Sequence, residues 1–284
     1  MLVKAHKKPP FRRRRLGKRL RTMREAAGLT LETAAPRLDL TRSSLFRIES
    51  GATRATVHLV RSMMDLYDHY EEGLLDAVRD AVKPSWFTKY GIQDVGYIDA
   101  ETEASRVYEY SGMQLPGLLH AEPYMRTLFE RSLHRRTPEM LENDVTVRLI
   151  RQQRLTSVDD PLELVAIIDE AALRREIGGA EVMRAQLHQL VEMAALPTVT
   201  LQVLQMDGCP PAAMNGGFIL LDFPDPDEPE LLYHEYVTGA LHIEDENEVR
   251  EARLVFDSLR SEALNPADSV ALIEQIAALR YVQL

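Results

Sequence analysis

Arg42 and Arg47 are the side chains in this sequence with the clearest chemistry open to them. A guanidinium offers paired N–H donors that match guanine O6 and N7, and one such bidentate contact is worth roughly 1–3 kcal/mol of discrimination against a wrong base. Ser43 and Ser44, beside them, are short and permissive hydrogen-bond donors. Leu45 and Ile48 lie three apart, share one helical face and can bury, which turns Arg42, Ser43, Ser44 and Arg47 away from a core. A helix of this width fits the DNA major groove and reads base edges with its N-terminal residues. Phe46 also leans outward, either to touch a thymine methyl or to pack against a neighbouring helix or the C-terminal body.

Arg12, Arg13, Arg14, Arg15, Lys18 and Arg19, with Arg54 beyond the Ser50-Gly51 stop, suit phosphates or a minor groove rather than base edges. Thr30 and Thr41, read as helix N-caps, complete the candidate backbone contacts. The formal net charge of −10 looks wrong for such a role until it is resolved along the chain. Residues 1–61 hold 16 Lys and Arg against 4 Asp and Glu, a net of +12, and the remainder carries −22. Exposed charges are screened beyond about 8 Å at physiological salt, so the local patch decides phosphate binding. A basic head on an acidic body is the electrostatic footprint of a nucleic-acid binder.

These residues need a compact helical frame. Leu16, Leu20, Met23 and Ala27 recur on one face, and Gly28 ends that helix. Thr30 caps a second helix, Leu31 to Leu38, Asp39-Leu40 turns the chain, and Thr41 caps a third, Arg42 to Glu49. Two further helices are expected near Thr56–Tyr67 and Tyr70–Val82. The organisation read this way is a basic arm (1–15), a helix-turn-helix domain (16–83) and a regulatory, effector- or partner-binding domain (84–284), with Lys83-Pro84 as the boundary. In the last of these, strands are expected at 107–113, 163–168, 198–206, 218–223, 231–237 and 240–243. Helices are expected at 98–106, 121–133, 138–154, 170–177, 181–195, 245–263 and 267–281. The fold class is thus an all-α head followed by an α/β (α+β) domain with a mixed sheet of five to six strands.

The C-terminal part offers no catalytic constellation. Asp169-Glu170 and His234-Glu235 are neighbours at or within strands, where adjacent side chains point to opposite faces. Asp222 and Asp225 to Glu228 read as a solvated acidic turn. Cys209 is the only cysteine, an incidental loop thiol that permits no internal disulfide and fits a reducing cytoplasm. No Gly-rich phosphate loop, metal-ligand spacing, secretory signal or apolar run of about 20 residues is present, so no catalytic residue, cofactor, metal or membrane is expected. Two features remain for a ligand or partner. The apolar turn at Leu115, Pro116 and Leu118, with Tyr110 and Tyr124 near it, either lines a pocket or partner surface or packs as a tight core turn. Arg148 and Arg151 share a helical arc that either meets an anion or acidic partner or forms a surface ion-pair face.

Arg24-Glu25-Ala26-Ala27-Gly28-Leu29-Thr30, Ala34-Ala35-Pro36-Arg37-Leu38 and Thr41 through Gly51 resemble the helix-turn-helix heads of phage-repressor-like, XRE-type regulators. The resemblance implies a buried Arg24–Glu49 ion pair. Leu31 stands where that family commonly has Gln, Pro36 lies inside the second helix, and Asp39 replaces the usual turn Gly. Farther on, Gln114-Leu115-Pro116-Gly117-Leu118-Leu119-His120-Ala121-Glu122-Pro123-Tyr124, Arg148-Leu149-Ile150-Arg151-Gln152-Gln153, Ile168 to Arg174 and Ala263 to Ser269 resemble actinobacterial WhiJ-like regulators. That resemblance implies transcriptional control and, frequently, a small protein encoded beside the regulator. The expectation is a cytoplasmic, nucleoid-associated, sequence-specific regulator that binds a double-stranded operator as a homodimer, with an unidentified small-molecule effector or a small protein partner. The alternative is an antitoxin-like protein whose main role is to bind that neighbour.

Overall fold

The computed structural model describes residues 9–92, 96–133, 135–225 and 228–280. They form two compact units, one running to Thr88 with a segment that ends at Ala100, the other made of Lys89–Ile92 and Glu101 onward. Met1 to Lys8 of the expected arm lie outside the described residues.

The head contains α1 (Phe11–Ala26), α2 (Leu31–Arg37), α3 (Arg42–Glu49), α4 (Val57–Tyr67) and α5 (Leu74–Ala81). Leu16, Leu20 and Met23 of α1 bury against Leu45 and Ile48 of α3, and Val60, Met63 and Tyr67 of α4 close the core. Three threonines start helices, since each side-chain oxygen accepts an otherwise orphaned backbone N–H. Thr30 accepts from Thr33 at 3.2 Å, Thr41 from Ser44 at 3.1 Å and Thr56 from Leu59 at 3.2 Å. Gly28 follows α1 in left-handed geometry (φ 69°), and Asp39 makes the α2–α3 turn at φ 55°, a conformation Asp adopts more readily than most residues. Pro36 does not disrupt α2, although the helix ends at Arg37, one residue before the expected Leu38.

The start of α1 corrects the expected arm. The helix begins at Phe11, not Leu16, so Arg12 to Arg15 occupy its first turns. The Phe11 N–H, one of the orphan donors of a helix start, donates to the buried carboxylate of Asp99. Asp99 Oδ1 also accepts the Ser85 hydroxyl at 2.5 Å. Phe11 itself is buried, and the Arg14 guanidinium lies 5.4 Å from its ring centroid.

The second unit is built on one six-stranded mixed sheet, ordered β3-β2-β1-β4-β5-β6. Its strands are β1 (Arg106–Ser111), β2 (Glu163–Asp169), β3 (Val199–Leu204), β4 (Phe218–Asp222), β5 (Leu231–Tyr236) and β6 (Gly239–Ile243). β1, β2 and β3 pair in parallel, while β1–β4, β4–β5 and β5–β6 pair antiparallel. The parallel half needs helical crossovers and reads as near-continuous apolar sequence, as in Leu164-Val165-Ala166-Ile167-Ile168. The helices are α6 (Tyr97–Glu103), which carries the chain from one unit into the other, α7 (Glu122–Glu130), α8 (Pro138–Gln153), α9 (Glu170–Arg174), α10 (Ala180–Ala194), α11 (Glu246–Glu262) and α12 (Pro266–Arg280). Tyr110, Val165, Ile167, Leu220 and Leu232 on one sheet face pack against Phe256 and Leu259 of α11.

Gly17 brings α1 against the end of α3. A Cβ at this position would lie 2.4 Å from the Glu49 carbonyl oxygen and 2.8 Å from that of Ile48. Neither backbone atom can rotate away, so Gly17→Ala is expected to destabilise the head by about 1–3 kcal/mol through overpacking, despite the better helix propensity of Ala. Urea denaturation of the full chain followed by far-UV circular dichroism measures this; an unchanged or raised midpoint would contradict the close approach.

Candidate nucleic-acid interface

α3 buries Leu45, Ile48 and Glu49 and turns the rest outward. Arg42, Ser43, Phe46, Arg47 and Ser50 are exposed, and helical periodicity lines them up along one side. Arg47 has no ion-pair or hydrogen-bond partner from its guanidinium among the described residues and is free to reach a ligand. Arg42 is also exposed, but its guanidinium pairs with Glu32 of α2, whose carboxyl is held below the usual range chiefly by that hydrogen bond. An exposed pair of this kind is worth about 0–1 kcal/mol, so a phosphate or base competes readily for Arg42.

The two serines differ. Ser43 is exposed, with its hydroxyl 3.1 Å from Thr41 Oγ1. Ser44 is half-buried, its N–H is capped by Thr41, and its hydroxyl lies 2.8 Å from Thr41 Oγ1. Ser44 therefore serves the start of α3, and Phe46, 55% exposed, takes the place expected of it on the outward stripe.

α3 is anchored by one charge pair. Arg24 Nε donates to Glu49 Oε1 at 2.7 Å and Nη2 to Oε2 at 2.9 Å, while Nη1 donates to the Leu29 carbonyl at 2.6 Å. Both side chains are almost fully buried, and the Glu49 hydrogen bonds raise the Arg24 pKa despite desolvation. Tyr67 lies in the same electrostatic neighbourhood; burial, reinforced by Glu49, pushes its phenol up to about 12.

The candidate phosphate ligands differ in exposure and in partners. Arg12, Arg13, Arg14, Arg15 and Lys18 are half-buried along α1. Arg13 lies close to Arg54, and its pKa is lowered first by burial and then by that like charge. The backbone of Arg13 and Arg14 runs directly over Gly51, where a Cβ would meet Arg14 N at 2.8 Å. Arg19 pairs with Glu71, which occupies its guanidinium. Arg54 is exposed, and Thr30 and Thr41 sit at their helix N-termini. Gly17 and Glu32 shape this surface but were not among the residues singled out from the sequence; a glycine inside an otherwise helical run was the available signal for the first.

A family model for a helix-turn-helix domain matches residues 15–78, which marks the head as DNA-binding and the chain as a regulator. A second model, for a domain of unknown function (DUF5753), matches residues 96–275, well over half of the 284. The chain belongs to the DUF5753 family. No curated relative and no solved structure matches it.

In the DUF5753 domain the apolar turn expected near Pro116 is internal. Leu115, Pro116, Leu118 and Tyr124 are buried, and a 3-10 turn runs from Gly117 to Leu119. Its polar groups are satisfied by residues distant in sequence. Gln186 Nε2 donates to the Leu119 carbonyl at 2.8 Å, while its Oε1 accepts the Ala121 N–H at 2.7 Å. Gln152 Nε2 donates to the His120 carbonyl at 2.8 Å. Arg148 has only donors, so His120 Nδ1 accepts from it at 2.9 Å, and Nε2 must carry the proton given to the Leu115 carbonyl at 2.9 Å. Burial, with Arg148 beside it, holds His120 well below the usual imidazole pKa. Arg148 also lies 4.7 Å from the Phe129 ring centroid, and burial lowers its pKa to about 10. Arg151 makes a bidentate pair with Glu101 at 2.7 Å for both contacts. Of the two readings open for these arginines, an anion or acidic partner and a surface ion-pair face, the second is altered: Arg151 is buried in its ion pair with Glu101, and half-buried Arg148 turns to His120. Tyr110 is likewise buried, with its hydroxyl donating to the Ala213 carbonyl at 3.0 Å.

Two outcomes follow. Glu49→Ala leaves a buried guanidinium uncompensated and is expected to cost about 3–5 kcal/mol, whereas Arg24→Met with Glu49→Leu is expected to stay within about 1–2 kcal/mol of the wild type. Denaturation of both variants separates them, and equal losses would contradict a charge-burial effect. His120 is expected to show no imidazole titration as pH falls from about 8 to about 6, a range in which a free histidine protonates; a two-dimensional NMR titration reads this, and a midpoint near 6.5 would contradict it.

Proposed function

We propose that this protein is a sequence-specific, DNA-binding transcriptional regulator that lays α3 in the major groove. Arg47 and, once released from Glu32, Arg42 act as base readers, and Ser43 and Phe46 contact neighbouring base edges. The observation that supports this reading most directly is the exposed stripe on α3, backed by the buried Arg24–Glu49 pair that holds the helix in place. Arg54 and the cationic stretch of α1 contact phosphates. The protein works in the cytoplasm as a homodimer, because one head covers only a half-site and operators of this class pair half-sites about 34–36 Å apart. Its resemblance to WhiJ-like regulators supports the same reading, in which effector or partner binding falls to the DUF5753 domain.

A mobility-shift assay on DNA from the gene's own promoter region tests it. Arg47→Ala is expected to cut specific binding by about tenfold to a hundredfold and to relax preference at one base position, while Arg54→Ala weakens all sequences alike and lowers the salt slope by about one. Glu32→Gln frees Arg42 and removes a negative charge from the DNA-facing side, so its affinity is expected to rise. An equal loss on all sequences for Arg47→Ala would remove its base-reading role.

A further inference from the structure

The DUF5753 domain contains an open cavity of about 520 Å³ that none of the roles above uses. It lies on the sheet face opposite α11. Register places Glu109, Ile219 and Tyr233 side by side across β1, β4 and β5, and Glu235 two residues farther along β5 on the same face. Gly217 borders the opening and holds β1 and β4 together, since a Cβ there would meet the Tyr110 carbonyl at 2.7 Å. The floor is a carboxyl group more than nine-tenths removed from solvent, Glu109, whose Oε1 accepts the Ser111 hydroxyl at 2.9 Å. Among the described residues its second oxygen has no hydrogen-bond donor. The walls are Ile219 and Tyr233, with exposed Tyr236 and Met113 at the mouth. No lysine, arginine or histidine lines the cavity, while two carboxylates do.

We propose that this cavity binds a small organic cation with a flat apolar body, an arylalkylamine in chemical class, whose ammonium group pairs with Glu109 while its ring lies against Tyr233 and Ile219. A cavity of this size, which sets two carboxylates beside aromatic and aliphatic side chains, has room for a small molecule with a charged end and an apolar body. Its location in an acidic body further favours a cation. Around Glu109 stand Ser111 on its own strand, Glu101 from α6, and Arg148 and Arg151 from α8. Arg151 is neutralised by Glu101; Arg148 donates to the neutral His120 and keeps its charge, which acts on Glu109 against the effect of burial. Burial pushes the Glu109 carboxyl up to about 7. An ammonium ion selects its ionised form, so binding releases a proton below that pH and tightens as pH rises.

The proposal deepens the effector reading of the DUF5753 domain and rests on it only for its regulatory consequence. Isothermal titration of the full chain with tyramine, neutral 4-ethylphenol and anionic 4-hydroxyphenylacetate tests it. Tyramine is expected to bind saturably and at least tenfold more tightly than either control. Its affinity is expected to fall about tenfold from pH 8 to pH 6, the change expected for one carboxyl titrating near 7. Glu109→Gln keeps the shape, removes a buried charge, and is expected to abolish both the preference for the amine and its pH dependence. The wild-type pH series and the two controls carry the test alone if that variant does not fold. No saturable tyramine binding at 10 mM, equal binding of 4-ethylphenol, or a folded Glu109→Gln that binds tyramine normally would each overturn it. Mobility shift with and without tyramine reads the regulatory consequence separately, since absence of DNA binding leaves the titration heat unaffected, and absence of heat leaves the DNA complex unaffected.

Discussion

α3 is held against α1 from two sides. Gly17 lets the two helices approach until the Glu49 carbonyl occupies the space of a side chain, and Arg24, two turns along α1, grips the Glu49 carboxylate. The first contact sets a distance and the second sets a rotation about the α3 axis. Together they decide which residues of α3 meet solvent, because Leu45 and Ile48 alone would bury over a range of helix rotations. Base reading needs side chains placed to within a hydrogen bond, so a pair that adds little net stability still matters for geometry.

Much of this was legible in the sequence, for reasons that differ by element. The threonine caps, Gly28 and the apolar spacing of α1, α3 and α4 are local signals, and each has a local physical cause. The six strands were legible because the parallel half is densely apolar and the antiparallel half is bounded by Gly, Pro and Asp. Their order was not, since β1 lying between β2 and β4 depends on pairings far apart in the chain. The start of α1 was missed because four consecutive arginines have no periodicity of their own; Phe11 and its partner Asp99, 88 residues away, extend the helix.

Polar residues of the DUF5753 domain were the least legible. Arg148 and Arg151 have the spacing of a surface arc, yet partners on other elements draw them inward. Glu101 sits on α6, His120 follows the 3-10 turn, and Gln186 reaches in from α10. Glu109 gave no signal among the tyrosines of β1, and its interest arises only from Tyr233 and Glu235, which the sheet places on the same face two strands away. Sequence periodicity reports which face a residue takes, not which residues meet it there.

The central position of β1 bears on how the chain is made. Arg106 pairs with Glu163 on one side and with Asp222 on the other, so the middle of the sheet stays open along one edge until Asp222 has been synthesised. At about 5–20 residues per second, that point comes on the order of 10 s after the residues of the N-terminal unit are complete. During that interval the ribosome carries a nascent chain with a finished set of head helices and an apolar half-sheet with an unpaired strand edge. Such an edge is a template for aggregation, so the second unit stays open to mispairing until β4 joins β1.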